Sequence, residues 1–228
     1  LMKTFAFIFA RGGSKGLPNK NVKLLGGIPL VAHAINLAKE IENVEEVFVS
    51  TEANNIKGIA NDFGAEVIDR PAELAGDTTP EWLVWQHAIA HLEMTDRKFD
   101  YFLSLPPTAP LRFKEDILKC FKLISEDADV VITVSPANRN PYFNMVFREH
   151  DGTSSLVLKK NSISRRQEAP KVYDMTTAAY LSTPSFIKNN DGIFEGHVKS
   201  VIIPKERAID IDDEIDYLLT KVIYENQI

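Results

Sequence analysis

The chain has 228 residues, 44% of them hydrophobic and 25% charged, with a formal net charge of −6. This is the composition of a folded globular protein; it excludes a disordered or collagen-like chain, and the acidic balance argues against binding bulk nucleic acid or an anionic membrane. The charge is nevertheless uneven. No acid precedes Glu40, so Lys3, Arg11, Lys15, Lys20, Lys23 and Lys39 give residues 1–39 a net +6 and leave −12 for the rest.

Short β-rich runs alternate with amphipathic helical ones along most of the chain. Strands are predicted at Thr4–Ala10, Glu45–Thr51, Ala65–Asp69, Tyr101–Leu105, Asp129–Val134 and Val198–Ile203. Helices are predicted at Leu30–Ile41, Ala53–Phe63, Trp82–Glu93, Glu115–Ser125 and Asp213–Glu225. Near-continuous apolar strands such as Ala6–Ala10 and Val130–Val134 call for burial on both faces, as in a parallel sheet. The expected fold is a doubly wound, mainly parallel α/β sheet forming a single domain over 1–228, with ligands outside the carboxyl ends of the strands.

Residues 138–190 break this rhythm with Asn140-Pro141, Asp151-Gly152, short β-like pieces at Phe143–Arg148 and Ala178–Leu181, and the basic pair Arg165-Arg166. They are expected to form a β-rich insertion, serving as a lid or a dimer arm. The single cysteine, Cys120, lies in an apolar-patterned run and reads as a buried structural thiol in a reducing compartment. The apolar run Phe5–Ala10 is too short for a signal core, and no stretch approaches the ~20 apolar residues of a membrane span. A cytoplasmic location is the expectation.

The strongest chemical signal follows the first strand: Arg11-Gly12-Gly13-Ser14-Lys15-Gly16-Leu17-Pro18-Asn19-Lys20-Asn21. Three glycines let backbone N–H groups approach an anion, Ser14 adds a hydroxyl donor, and three cations without an acid supply charge for several phosphates. The spacing is neither that of a Walker loop nor that of a Gly-x-Gly-x-x-Gly dinucleotide turn. Far along the chain, Asp210-Ile211-Asp212 puts two carboxylates on one face of an extended segment, where both can address one cation. The same acids also suit the start of the following helix.

The loop resembles the first signature of the acylneuraminate cytidylyltransferases, the CMP-sialic acid or CMP-nonulosonate synthetases: Ala-Arg-x-Gly-Ser-Lys-x-Leu/Ile-x-x-Lys-Asn. The resemblance continues in order through Gly26–Leu30, Arg70–Asp77, Pro107–Arg112, Arg165–Pro170 and Asp210–Asp212. It implies a transferase coupling CTP to a nonulosonic acid sugar, with release of pyrophosphate and with Mg²⁺ as cofactor. By the same resemblance, Lys20 and Arg11 are the catalytic residues, and the nucleotide is held by Ala10, Arg11, Gly13, Ser14, Lys15, Lys20, Asn21 and Arg70. Asp210 and Asp212 hold the metal, leaving Asp213, Glu214 and Asp216 to the helix. Thr108, Arg112, Arg166 and Gln167 address the sugar, the last two from an insertion that forms a homodimer and reaches the neighbouring subunit's site. For Arg112 a structural ion pair stays open as the alternative.

Three positions depart from the family pattern. Pro106 stands where a glutamine addresses the sugar, Thr176-Thr177 replaces Asn-Gly, and Glu81 stands where members often place a hydroxyl. The nucleotide loop and the Asp pair are intact, so the departures concern the acceptor or the pocket wall. The acceptor is expected to be N-acetylneuraminate or a relative such as legionaminate or pseudaminate. Two rivals are a Kdo-type cytidylyltransferase of the same fold and a nucleotide-binding sensor without turnover.

Overall fold

The computed structural model describes residues 2–14, 16–124, 127–159 and 165–226, apart from the side chain of Arg166. In chain order, β1 (Thr4–Phe9) leads through a long loop and a ribbon, β2 (Leu24–Leu25) with β3 (Ile28–Pro29), into α1 (Leu30–Glu40). There follow β4 (Val44–Thr51), α2 (Asn54–Asp62), β5 (Glu66–Asp69), α3 (Glu81–Met94), β6 (Tyr101–Ser104), α4 (Lys114–Ile124) and β7 (Val130–Pro136). A second ribbon pairs β8 (Val146–Arg148) with β9 (Ser154–Leu156), and the chain ends with β10 (Tyr173–Ser182), α5 (Pro184–Asn189), β11 (Val198–Ile202) and α6 (Glu214–Asn226).

The seven-stranded sheet has the order β11-β7-β10-β6-β1-β4-β5, parallel except for β10, which runs antiparallel to both neighbours. The predicted α/β fold is therefore present. Strand β1 shows why its sequence lacks polar alternation. Phe5 and Phe7 enter one core with Phe48, Phe102, Trp82 and Trp85, while Ala6 and Ile8 enter the other with Val31, Ile35 and Ile117. Successive side chains point to opposite faces, and here both faces are covered by helices. Burying an aromatic such as Trp85 removes 150–250 Å² from water, about 4–6 kcal/mol at ~25 cal/mol/Å².

Strand β10 corrects the sequence reading. The expected insertion over 138–190 does contain the β8–β9 ribbon, but its later part is a central strand of the main sheet. The β-like piece Ala178–Leu181 was legible; its partners were not, because an antiparallel strand arriving after a long excursion carries no local sign of where it pairs. Its ladder with β7 is interrupted between Thr176 and Tyr180, where three residues bulge out. The Thr133 hydroxyl fills the gap, bonding the Thr176 hydroxyl (2.6 Å) and accepting from the Ala179 amide (3.2 Å). Cys120 is buried as expected, and its surroundings push the thiol up to about 12. Among the described residues no helix is long and apolar enough to cross a membrane.

Candidate active site

The chain leaves β1 towards β4 on one side, while β6 lies on the other, so the order of winding reverses between β1 and β6. A crevice opens at such a switch point beyond the carboxyl ends of the strands. A cavity of about 500 Å³ lies there. Its lining includes Arg11, Ser14, Gly16, Lys20 and Asn21 from the loop after β1, and Arg70 from the end of β5. Pro106 and Thr108 follow β6, Thr177 comes from the bulge in β10, and Asp212 lies beyond β11.

Residues almost two hundred positions apart are joined here in three ways. Leu17 and Ile211 share a small buried cluster with Leu25 and Leu30. Gly16 lies so close to Asp212 that any side chain would collide with the Asp212 carbonyl oxygen, which explains why glycine stands there. Lys20 Nζ donates to Asp212 Oδ1 at 3.0 Å. Since Ile211 faces the core, its neighbours Asp210 and Asp212 are presented away from it, and the Ile211 amide is anchored on the Thr108 carbonyl (2.9 Å).

The loop is held as firmly elsewhere. The Gly12 amide donates to Glu52 Oε1 (2.6 Å), and a Cβ on Gly12 would lie 2.8 Å from that of Ala53. Asn21, nearly buried, donates to the Arg11 carbonyl at 2.9 Å. Arg11 itself is ion-paired with Asp77. Arg70 is 8% exposed and donates to the Ser50 carbonyl (2.7 Å) and hydroxyl (3.2 Å). Burial lowers its pKa to about 10, against the attraction of Glu52 and Glu81.

Asp210 and Asp212 differ sharply. Desolvation raises the Asp210 pKa, with nearby Asp212 adding to the effect; Thr108, Lys20 and Thr177 oppose it. One carboxylate oxygen of Asp210, Oδ1, is buried without a hydrogen-bond partner. The Asp212 side chain is 74% exposed and reaches Lys20. A buried, unbonded oxygen beside a second, open carboxylate suits a hard divalent cation shared with phosphate oxygens. The start of α6 is capped by other acids: Asp216 accepts from the Asp212 and Asp213 amides, and Asp213 accepts from the Ile215 and Asp216 amides.

Several expected site residues lie elsewhere. Arg112 does not line the cavity: it is 4% exposed and donates to the Pro106 carbonyl at 2.6 Å, so it braces the wall from behind. Burial lowers its pKa to about 9, opposed by the charge of Asp210. Its hydrogen-bond partner among the described residues is thus a backbone carbonyl rather than the acid of the expected ion pair. Gln167 lines a second cavity of about 420 Å³ with Arg139, Asn140 and Lys171, apart from the first. Ala10 is fully buried, its amide donating to the Ser50 carbonyl (3.1 Å), and Gly13 faces open space. Lys15 and the side chain of Arg166 lie outside the described residues.

Sequence reasoning missed Glu52 and the roles of Phe9 and Asp77 in the cavity. Glu52 carried no signal, since it is one acid among many until the fold brings it under Gly12.

The chain matches the cytidylyltransferase family over residues 5–218. It is 34% identical over 219 residues to Post-translational flagellin modification protein B of Campylobacter coli, covering 95% of this chain and 92% of that protein. It is 33% identical over 219 residues to CMP-N,N′-diacetyllegionaminic acid synthase of Campylobacter jejuni, with the same coverage of both chains. In fold it resembles a CMP:2-keto-3-deoxy-manno-octonic acid synthetase solved with CTP, at TM-score 0.71 and 14% identity, covering 99% of this chain and 100% of the other. The match over nearly the whole length, together with a cationic glycine loop that shares one cavity with Asp212, establishes that this chain belongs to the cytidylyltransferase family of nucleotidyltransferases.

Proposed function

We propose that the protein couples CTP to a nonulosonic acid sugar, forming the CMP-sugar and releasing pyrophosphate. The observation that carries this reading is the single cavity in which Arg11, Ser14 and Lys20 face Thr108 and Asp212. Relatives make the acceptor class specific: one is named for a CMP-nonulosonate product.

The anomeric hydroxyl of the sugar attacks the α-phosphorus, pyrophosphate leaves in line, and the hydroxyl proton passes to solvent. Such a transfer requires positioning and charge neutralisation more than covalent work by the protein. Arg11, Ser14 and Lys15 hold the triphosphate, and Arg70 with the backbone near Ala10 reads the cytosine. Lys20, only 15% exposed, neutralises charge developing at the α-phosphate. Asp210 and Asp212 would hold Mg²⁺, which when bound supplies further neutralisation of the phosphate oxygens. Thr108 contacts the acceptor.

A homodimer belongs to the same reading. The segment around the β8–β9 ribbon exposes Phe143, Met145, Val146, Phe147 and Leu158, and the start of β10 exposes Tyr173 and Met175. Contiguous exposed apolar side chains of this kind mark an interaction surface. Arg166 and Gln167 would then act on the neighbouring subunit's sugar, which fits the position of Gln167 away from its own chain's cavity.

The test is pyrophosphate release from CTP with N,N′-diacetyllegionaminate, N-acetylneuraminate and pseudaminate. Release is expected with at least one of the three, and EDTA should abolish it. Tight CTP binding without release from any of them would favour a non-catalytic nucleotide sensor, and activity indifferent to EDTA would remove the metal from the reading.

A further inference from the structure

The carboxyl of Glu81 is used by none of the roles above, yet it lines the cavity. It is the first residue of α3, a place where an acid normally turns into solvent towards the helix N-terminus. Here the residue is exposed to solvent along the cavity that it lines. Trp85, one turn on, donates from Nε1 to Glu81 Oε1 at 3.3 Å and aims the group. Among the described residues Oε2 makes no hydrogen bond. Desolvation is the largest influence on the carboxyl and raises its pKa, only partly offset by Trp85 and Arg70. An acid held in this way is stabilised by any ligand that brings hydrogen-bond donors to it.

Which part of the ligand it meets follows from the helix that carries it. Trp85 packs on Phe102 of β6 (centroids 5.2 Å apart) and Tyr180 of β10 (5.4 Å), so the start of α3 lies over the strands that supply Thr108 and Thr177. The phosphates are excluded as neighbours by charge, and the acidic group of the sugar for the same reason. What remains are hydroxyl and N–H groups. The adjoining wall needs such a partner. Pro106 has no N–H, and its carbonyl is already taken by Arg112. The Thr177 hydroxyl, in the bulge of β10, is a further polar group on this wall, buried beside Asp210.

We propose that Glu81 selects the acceptor: its carboxylate accepts hydrogen bonds from hydroxyl or N–H groups of the sugar acid, on a wall where Pro106 offers none, with Thr177 beside it. This rests on the nonulosonate reading above and names the residue that discriminates among such sugars.

The experiment measures steady-state pyrophosphate release by the wild type, Glu81→Ala, Glu81→Gln and Thr177→Val. CTP and each of the three nonulosonates above are varied in turn. A hydrogen bond to a charged group is worth about 1.5–3 kcal/mol, so Glu81→Ala should raise the acceptor KM roughly tenfold or more. The KM for CTP should stay within about twofold. Glu81→Gln, which keeps an acceptor oxygen, should recover most of the loss, and Thr177→Val should raise the acceptor KM with Glu81 intact. The same acceptor KM in Glu81→Ala and wild type would overturn the assignment, as would a rise confined to the KM for CTP, which would place Glu81 with Arg70 at the base. Wild-type protein that binds CTP but turns over none of the three sugars would instead sink the nonulosonate reading itself, and Glu81's role with it.

Discussion

Replacing Lys20 with alanine separates catalysis from stability. The lysine lies 3.0 Å from Asp212 Oδ1, a distance at which a fully buried pair would interact strongly, but the Asp212 side chain is 74% exposed. Solvent screening reduces such a pair to about 0–1 kcal/mol of stability. At roughly 2–4 °C per kcal/mol for a domain of this size, the melting temperature should fall by no more than about 4 °C. The transition state is affected far more. Loss of one donor aimed at developing charge costs about 2.7–4 kcal/mol, or 10²–10³ in kcat. Steady-state pyrophosphate release, paired with a thermal melt of the same preparation, reads both quantities. Lys20→Arg should retain more activity than Lys20→Ala, since it keeps the charge. A Lys20→Ala enzyme within a few-fold of wild-type kcat would refute the reasoning, as would a loss of activity accompanied by a melt lowered by tens of degrees.

Gly16→Ala should displace the Asp212 backbone it abuts; an error of about 1 Å at a reacting centre can cost ~10²-fold, and titration should show a higher Mg²⁺ requirement. Asp116→Ala should act on stability alone. It removes the buried partner of Arg207 Nη2 (3.0 Å) and the acceptor for the Phe113 amide, costing about 3 kcal/mol by denaturant titration with residual kcat preserved. Acid should destabilise the protein through His33, which burial holds below its usual pKa of 6.5 while its ring bonds the Leu25 carbonyl at 2.8 Å. The folded state then binds fewer protons than the unfolded one, so stability is full above pH ~6.5 and lost as pH falls towards the folded value. Melts of His33→Gln between pH 5 and 7.5 should show a flatter acid limb, the remainder coming from His87, which burial also lowers.

Much of this was legible in sequence for a physical reason. Local period reports which side chains must be buried, and that was enough to find β1, α1, α2 and α4 although the residues they pack against lie far away in sequence. The loop after β1 was legible because glycines and cations at fixed spacing leave few other uses. Its partner segment was legible only as an ambiguity: Asp210-Ile211-Asp212 fits a metal pair or a helix start, and the structure turns Ile211 inward and gives the helix cap to Asp213 and Asp216. Arg112 was not decidable at all. A guanidinium after a strand reads the same whether it points into the cavity or away from it, and only the folded chain shows it bonding the Pro106 carbonyl. Strand β10 failed for the related reason that pairing partners are a property of topology.

The uneven charge of the chain has a structural counterpart. Each cation of the loop whose partner is described meets an acid from a distant part of the sequence: Arg11 with Asp77, Lys20 with Asp212, Lys23 with Glu214. A cluster of positive charge without such partners would repel itself and splay the loop before any ligand arrived. The remote acids hold the loop in the shape that phosphates require, at exposed distances where each pair contributes little stability and is readily exchanged. An incoming triphosphate therefore meets a preformed cradle, taking Arg11 from Asp77 and sharing Lys20 with Asp212. On the reading proposed above, Asp212, freed of a full claim on Lys20, would be left with Asp210 to hold a divalent cation. On this argument nucleotide and metal bind with positive coupling, so the apparent Kd for CTP should fall as Mg²⁺ is raised. Asp212→Asn should weaken that dependence while leaving CTP bound by the loop; CTP affinity indifferent to Mg²⁺ in the wild type would contradict it.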